Sequence, residues 1–190
     1  TDSEKIAELG RQIGIEVPFL RPAELAQDDT PMIAVLTHLL NFLSTSGEMP
    51  DAIMLLQPTS PLRRAEHLRA AARMLEDHPD ADSVVAVTEV PRHYAPSYLM
   101  KITPQGSLDY YVPGAETLRR RQDAPAAYSR NGTLYLFRVD SFEKHGDIYG
   151  KVCLPLMMSE ADTLNLDSQE DWQEAEKIFQ KHPQISTPLT

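Results

Sequence analysis

The chain has 190 residues, a formal net charge of −10 and a hydrophobic fraction of 42%. That is enough for one packed domain and too acidic for broad nucleic-acid binding, which needs a basic surface. No apolar run approaches the length that spans a membrane, no basic segment leads an apolar one as in a secretion signal, and the single cysteine, Cys153, can form no internal disulfide.

Thr1, Asp2 and Ser3 are helix-capping residues, and Ile6, Leu9 and Ile13 behind them predict a helix from Ser3 to Ile13, stopped by Gly14. Ile15 to Leu20 reads as a short strand. Thr30-Pro31 opens a second helix through Leu43, with Ile33, Leu36, Leu40 and Leu43 at helical spacing. Ala52 to Leu56 is a buried strand, Arg64 to Asp77 a helix and Asp82 to Val90 a strand. This alternation predicts an α/β sandwich with a mainly parallel sheet. From Pro91 to Pro125 the pattern breaks: Tyr98 to Ile102 and Leu108 to Val112 are short β-like pieces around Pro104-Gln105-Gly106. Such an insertion is either an excursion over a site or a dimerisation arm. Thr133 to Val139 and Val152 to Met158 are further strands. Ser168 caps a last helix to Lys181, with Asp171 completing a capping box and Trp172, Ala175 and Phe179 on the buried face.

Three constellations carry the chemistry. In Leu55-Leu56-Gln57-Pro58-Thr59-Ser60-Pro61-Leu62-Arg63 an apolar strand stops at a turn of neutral hydrogen-bonding groups. Polar groups just past the carboxyl end of a buried strand are where open α/β sheets bind ligands, and Gln57, Thr59 and Ser60 suit a hydroxyl-rich one. The same residues also read as a proline-stiffened loop that binds nothing. Arg121 precedes Asn131-Gly132, which reads as a tight turn, and Tyr135. Arginine clusters at Arg63, Arg64, Arg69 and Arg73, and again at Arg119, Arg120, Arg121 and Arg130; solvated charge accounts for most of these. In Asp162-Thr163-Leu164-Asn165-Leu166-Asp167-Ser168 the alternation is strand-like, so Asn165 and Asp167 share a face. Two oxygen ligands there suit Mg²⁺, though acid before a helix is also ordinary capping chemistry.

The nine residues from Leu55 to Arg63 resemble the signature of the acylneuraminate cytidylyltransferases, which join a nine-carbon acidic sugar to CMP using CTP. Arg121-Gln122 with Pro125, Asn131-Gly132 and Tyr135, the stretch Asn165 to Ser168, and Phe19 to Ala26 resemble further family motifs in the same order. The resemblance implies a Rossmann-like nucleotidyltransferase fold over residues 1–190, with 91–130 as an inserted dimerisation region. It implies that Arg121 and Asp167 are catalytic, that Arg21, Gln57, Thr59, Ser60 and Tyr135 bind substrates, and that Asn165 and Asp167 hold Mg²⁺. The family carries Asp-Ile-Asp-Thr where this chain has Asn165, so one of two metal-site charges is missing. Ile148-Tyr149-Gly150-Lys151 resembles a segment that reaches toward a sugar pocket, and is equally a simple turn. A lysine expected after His93 is replaced by Ser97 and Tyr98, leaving Lys101 as a substitute. The family begins with a strand and a phosphate-cradling loop, and the chain is read as lacking them. The implied partners are CTP, an acidic nine-carbon sugar and a second copy of the chain, with no nucleic acid or membrane. The implied compartment is the cytoplasm, consistent with one cysteine. A related sugar nucleotidyltransferase and a catalytically silent, sugar-binding homologue are the alternatives.

Overall fold

The computed structural model describes residues 1–117, 120 and 124–181. They fall in two compact units, Thr1–Asp51 and Ala52–Thr190.

The first unit is helical. Helix α1, Glu4–Gln12, is capped by Ser3, whose hydroxyl accepts from Ile6 N at 3.4 Å. Gly14 follows with φ +83°. The Ile6, Leu9 and Ile13 stripe expected behind that cap is exposed. Helix α2, Met32–Ser46, starts after Pro31 and ends on Gly47 in the left-handed conformation. The expected strand over residues 15–20 forms no ladder; Phe19 packs instead against His38 and Phe42 of α2, with ring centroids 4.9 and 4.8 Å apart. Hydrophobic anchoring of this segment replaces strand pairing.

The second unit is a sheet with helices. Its strands are β1, Ala52–Leu55, β2, Ser83–Glu89, β3, Met100–Ile102, β4, Leu108–Tyr110, β5, Tyr128–Arg138, and β6, Cys153–Met157. The main sheet has the order β1-β5-β2-β6. Strands β1, β2 and β6 point one way, but β5 slots antiparallel between β1 and β2. Among the described residues only the β2–β6 ladder is parallel, which corrects the expectation of a mainly parallel sheet. Helix α3, Ala65–Asp77, makes the crossover from β1 to β2, and such crossovers join parallel strands. Alternating elements in a sequence cannot say which later strand fills the gap between them.

Side-chain alternation divides the sheet faces. Val84, Ala86, Leu134 and Leu136 form a core with Ala71 and Leu75 of α3, and with Ala81 and Met158. On the other face Phe137 stacks on Phe142 at 5.4 Å. Phe142 belongs to helix α4, Val139–His145, which is too short to show a periodic stripe and has no counterpart among the expected elements. Helix α5, Gln169–Lys181, buries Ala175, but Trp172 is 53% exposed. Its indole N–H donates to Glu176 at 3.0 Å, so Trp172 is not on the buried face that its spacing predicts. The hairpin β3–β4 forms a separate two-stranded sheet within the region expected to be an insertion, turning at Gly106 with φ +78°.

Candidate functional site

A cleft of about 880 Å³ opens where β1 ends, between the Gln57 loop, the middle of β5, the end of β2 and the segment before α5. Gln57, Thr59, Tyr135 and Asn165, all singled out in the sequence, line it together.

The Gln57 loop is held by Arg63. Its Nε donates to Thr133 O at 2.7 Å and its guanidinium also donates to Gln57 O. Burial pulls the pKa of Arg63 below its ordinary value, while guanidinium remains charged in proteins. The Gln57 loop and β5 are therefore tied by one side chain that clustering in the sequence assigns to solvent. Its only signal is its place directly after Leu62, itself 3% exposed. Leu166 N donates to Thr59 O at 2.8 Å, which brings the Asn165 segment alongside the loop. That segment is not the expected strand: its alternation is real, but one bond to a loop replaces a ladder. Arg64 pairs with Asp162 at 2.9 Å and steadies the same wall.

Asn131-Gly132 is not the tight turn that its composition suggests. It lies inside β5 as a bulge. Val85 pairs with Tyr135 and Val87 with Arg130, so two steps on β2 face five on β5. Gly132 takes φ +76°, which glycine adopts without steric cost. Asn131 shapes this bulge: its side-chain oxygen accepts from Thr133 N at 3.1 Å, and its amide donates to Thr88 at 3.0 Å. A Cβ at Gly132 would stand 3.4 Å from Ser60 Oγ and 3.9 Å from both Asn165 Oδ1 and Gln57 Cγ. Three of the sequence-chosen residues thus converge on the space this glycine leaves. Ser60 is buried at 4% exposure, and its hydroxyl has no hydrogen-bond partner among the described residues. A buried hydroxyl in that state is a ready partner for a ligand or water.

Asp167 borders a smaller neighbouring pocket with Thr59, Ser168 and Trp172, and its carboxylate accepts from the Asn165 amide. Asn165 and Asp167 therefore do share a locality. Their oxygens are hard donors with one formal charge between them, a set that fits Mg²⁺, an ion that keeps several waters. Among the described residues no group of three or more His, Cys, Asp or Glu could hold a metal. Asp171 accepts from Ser168 Oγ at 2.8 Å and from the backbone N–H groups of Ser168 and Asp167. These bonds, the Ser168 hydroxyl first, hold its pKa below the ordinary carboxylate value.

Tyr135 is the hub of an aromatic and cationic group. Its ring meets Tyr149 edge-on at 6.4 Å, and Arg130 lies over the Tyr149 ring at 5.6 Å while donating to its hydroxyl. Burial raises the pKa of Tyr135. The bond to Tyr149 is the main cause of a raised pKa at Arg130. Arg21 belongs to the first unit, where it pairs with Asp2 at 2.9 Å and lowers that carboxyl's pKa. Lys101, another expected residue, is not among the described residues that line the cleft; it sits on β3, 3.6 Å from Asp109. Arg121 lies outside the described residues.

A family model described as cytidylyltransferase matches residues 1–185. The chain is 31% identical over 182 residues to a CMP-N,N'-diacetyllegionaminic acid synthase of Legionella pneumophila, covering 95% of this chain and 76% of that protein. It is 29% identical to an N-acylneuraminate cytidylyltransferase of Streptococcus agalactiae, covering 90% of this chain but 40% of that protein. Its backbone is similar to a CMP:2-keto-3-deoxy-manno-octonic acid synthetase solved with CTP, at a TM-score of 0.65 and 11% identity, over 95% of this chain and 79% of that one. That likeness supports a nucleotidyltransferase fold.

Proposed function

We propose that this chain, which belongs to the cytidylyltransferase family, activates a nine-carbon α-keto acid sugar with CTP, giving the CMP-sugar and pyrophosphate. The observation that carries the reading is the convergence of Gln57, Ser60 and Asn165 on the gap at Gly132. Neutral hydrogen-bonding groups in a cleft at a strand's carboxyl end suit the hydroxyls of a sugar.

The anomeric hydroxyl of the sugar attacks the α-phosphorus of CTP, a new P–O bond forms, and the bond to the leaving pyrophosphate breaks. Chemistry of this kind depends on positioning and charge neutralisation more than on covalent help. Gln57 and Thr59 hold sugar hydroxyls in line, and the buried Ser60 hydroxyl supplies a further bond. Tyr135 packs on the sugar. Arg121 neutralises anion charge, and Arg21 contributes to the nucleotide. Asn165 and Asp167 would hold Mg²⁺, which when bound neutralises phosphate charge and favours the ionised attacking hydroxyl. A homodimer formed through the 91–130 region and a cytoplasmic location complete the proposal. The exposed Met100, Ile102 and Leu108 on the β3–β4 hairpin support the first. The single cysteine supports the second.

The test is pyrophosphate release. It should require CTP, Mg²⁺ and an α-keto acid sugar together. Equal turnover with ATP, or with a neutral hexose, overturns the reading. A sugar-binding homologue without catalysis is favoured by Asn165 alone, and binding without pyrophosphate release would select it.

A further inference from the structure

An acidic sugar brings a carboxylate into a cleft that is itself acidic. Glu89, Glu160 and Asp171 line it, and among the described lining residues Arg130 is the one basic side chain. An anion leaving water needs a paired charge, and three carboxylates on the walls increase that need. Lys101, the expected cationic substitute, is on the hairpin.

The fold explains how Arg130 reaches the cleft. Residues five apart on a regular strand face opposite ways. Yet Arg130 pairs with Val87 and Tyr135 with Val85, two positions on one face of β2. The bulge at Asn131-Gly132 thus turns Arg130 onto the face of Tyr135, and both line the cleft. Arg130 is also held in place. Tyr149 takes one of its N–H donors and lies beneath the guanidinium. Tyr149 is fixed in turn: Asp147 accepts from Tyr149 N and Gly150 N at 2.7 Å each, and Ser83 donates to Tyr149 O at 2.7 Å. Gly150 is obligatory there, because a Cβ would collide with the Asp82 side chain, 2.6 Å from its Cγ. A pre-positioned guanidinium with donors to spare is the group that grips a planar carboxylate at two points.

We propose that Arg130 binds the carboxylate of the acidic sugar, with Tyr149 as its positioning residue, and so sets the preference of this cleft for an acid over a neutral sugar. The proposal rests on the functional reading above and deepens it. The test compares binding of N-acetylneuraminate and N,N'-diacetyllegionaminate with their methyl esters, by calorimetry on the full chain and on R130A, R130K and Y149F. The wild type should prefer the acid about ten- to a hundredfold. R130A should lose most of that preference, R130K should keep part of it, and Y149F should raise the sugar KM while leaving the KM for CTP and kcat nearly unchanged. R130A retaining the full preference overturns the proposal. So does a wild type that releases pyrophosphate yet binds acid and ester alike, and that outcome leaves the functional reading intact. If R130A weakens CTP instead of the sugar, Arg130 serves a phosphate and the assignment falls. A wild type that binds neither acid nor ester overturns the functional reading and this proposal together.

Discussion

The two main walls of the cleft are built by opposite means. The Gln57 loop is a contiguous run whose polar groups follow one another in sequence and whose shape is held from outside by Arg63 and Leu166. The β5 wall is held from within by a bulge that Asn131 and Gly132 stabilise locally. A loop of this kind announces itself by composition. A bulge hides inside an ordinary strand pattern and changes which residues share a face. The comparison teaches that the recognisable half of a site can depend on the half that is not recognisable, since Arg63 ties the loop to the β5 backbone at Thr133.

The strongest way to break that dependence is R63A. It removes two charge-assisted bonds to backbone carbonyls, one on each wall, and should cost about 2–3 kcal/mol in urea unfolding. R63K should recover little, because an ammonium cannot bridge both carbonyls as the fork does. A loss under about half a kcal/mol would mean that the walls are independent.

G132A attacks the bulge alone. The left-handed backbone there costs a side-chain-bearing residue about 1–2 kcal/mol, and the added methyl enters the space shared by Ser60, Gln57 and Asn165. Sugar KM should rise more than CTP KM. An unchanged sugar KM would show that the gap at Gly132 is not occupied by substrate.

N165D sharpens the contrast on the third side of the cleft. It places a second carboxylate beside Asp167, so Mg²⁺ should saturate at lower concentration, while D167N should nearly abolish the metal response. Trp172, the only tryptophan, borders the pocket of Asp167 and gives a fluorescence readout of the titration. Identical Mg²⁺ titrations for N165D and wild type would remove position 165 from the metal site.

The smallest effect concerns acid stability of the α5 cap. Asp171 has a folded pKa lowered by the Ser168 hydroxyl and neighbouring N–H groups. A depressed carboxylate contributes stability that is present above its unfolded value, about 3.9, and lost as pH falls through the folded value. Wild type and D171N should therefore differ at pH 7 and converge below about pH 4. A difference that persists at pH 2 would place the effect of the substitution in packing.

Much of this molecule is legible in its sequence. The helices α1, α2, α3 and α5 follow from caps and periodicity, because those signals lie within a few residues of the bonds they describe. The loop Gln57-Pro58-Thr59-Ser60 is legible as a site for the same reason. Where side chains depend on distant partners, local patterns mislead. Residues 15–20 have strand composition but no ladder, Trp172 has the spacing of a core residue but sits in solvent, and Asn131-Gly132 has turn chemistry but bulges a strand. The amino-acid sequence by itself determined the presence of helices α1, α2, α3 and α5, the polar loop after β1 and the family resemblance. Helix α4 and the last turn of α2, which runs past the expected Leu43 to Ser46, escaped it. Tertiary structure decided that β5 runs antiparallel between β1 and β2, that Arg63 joins two walls, and that Arg130 faces the cleft. Each of those depends on which backbone lies alongside which, a pairing between residues tens of positions apart that no local pattern encodes.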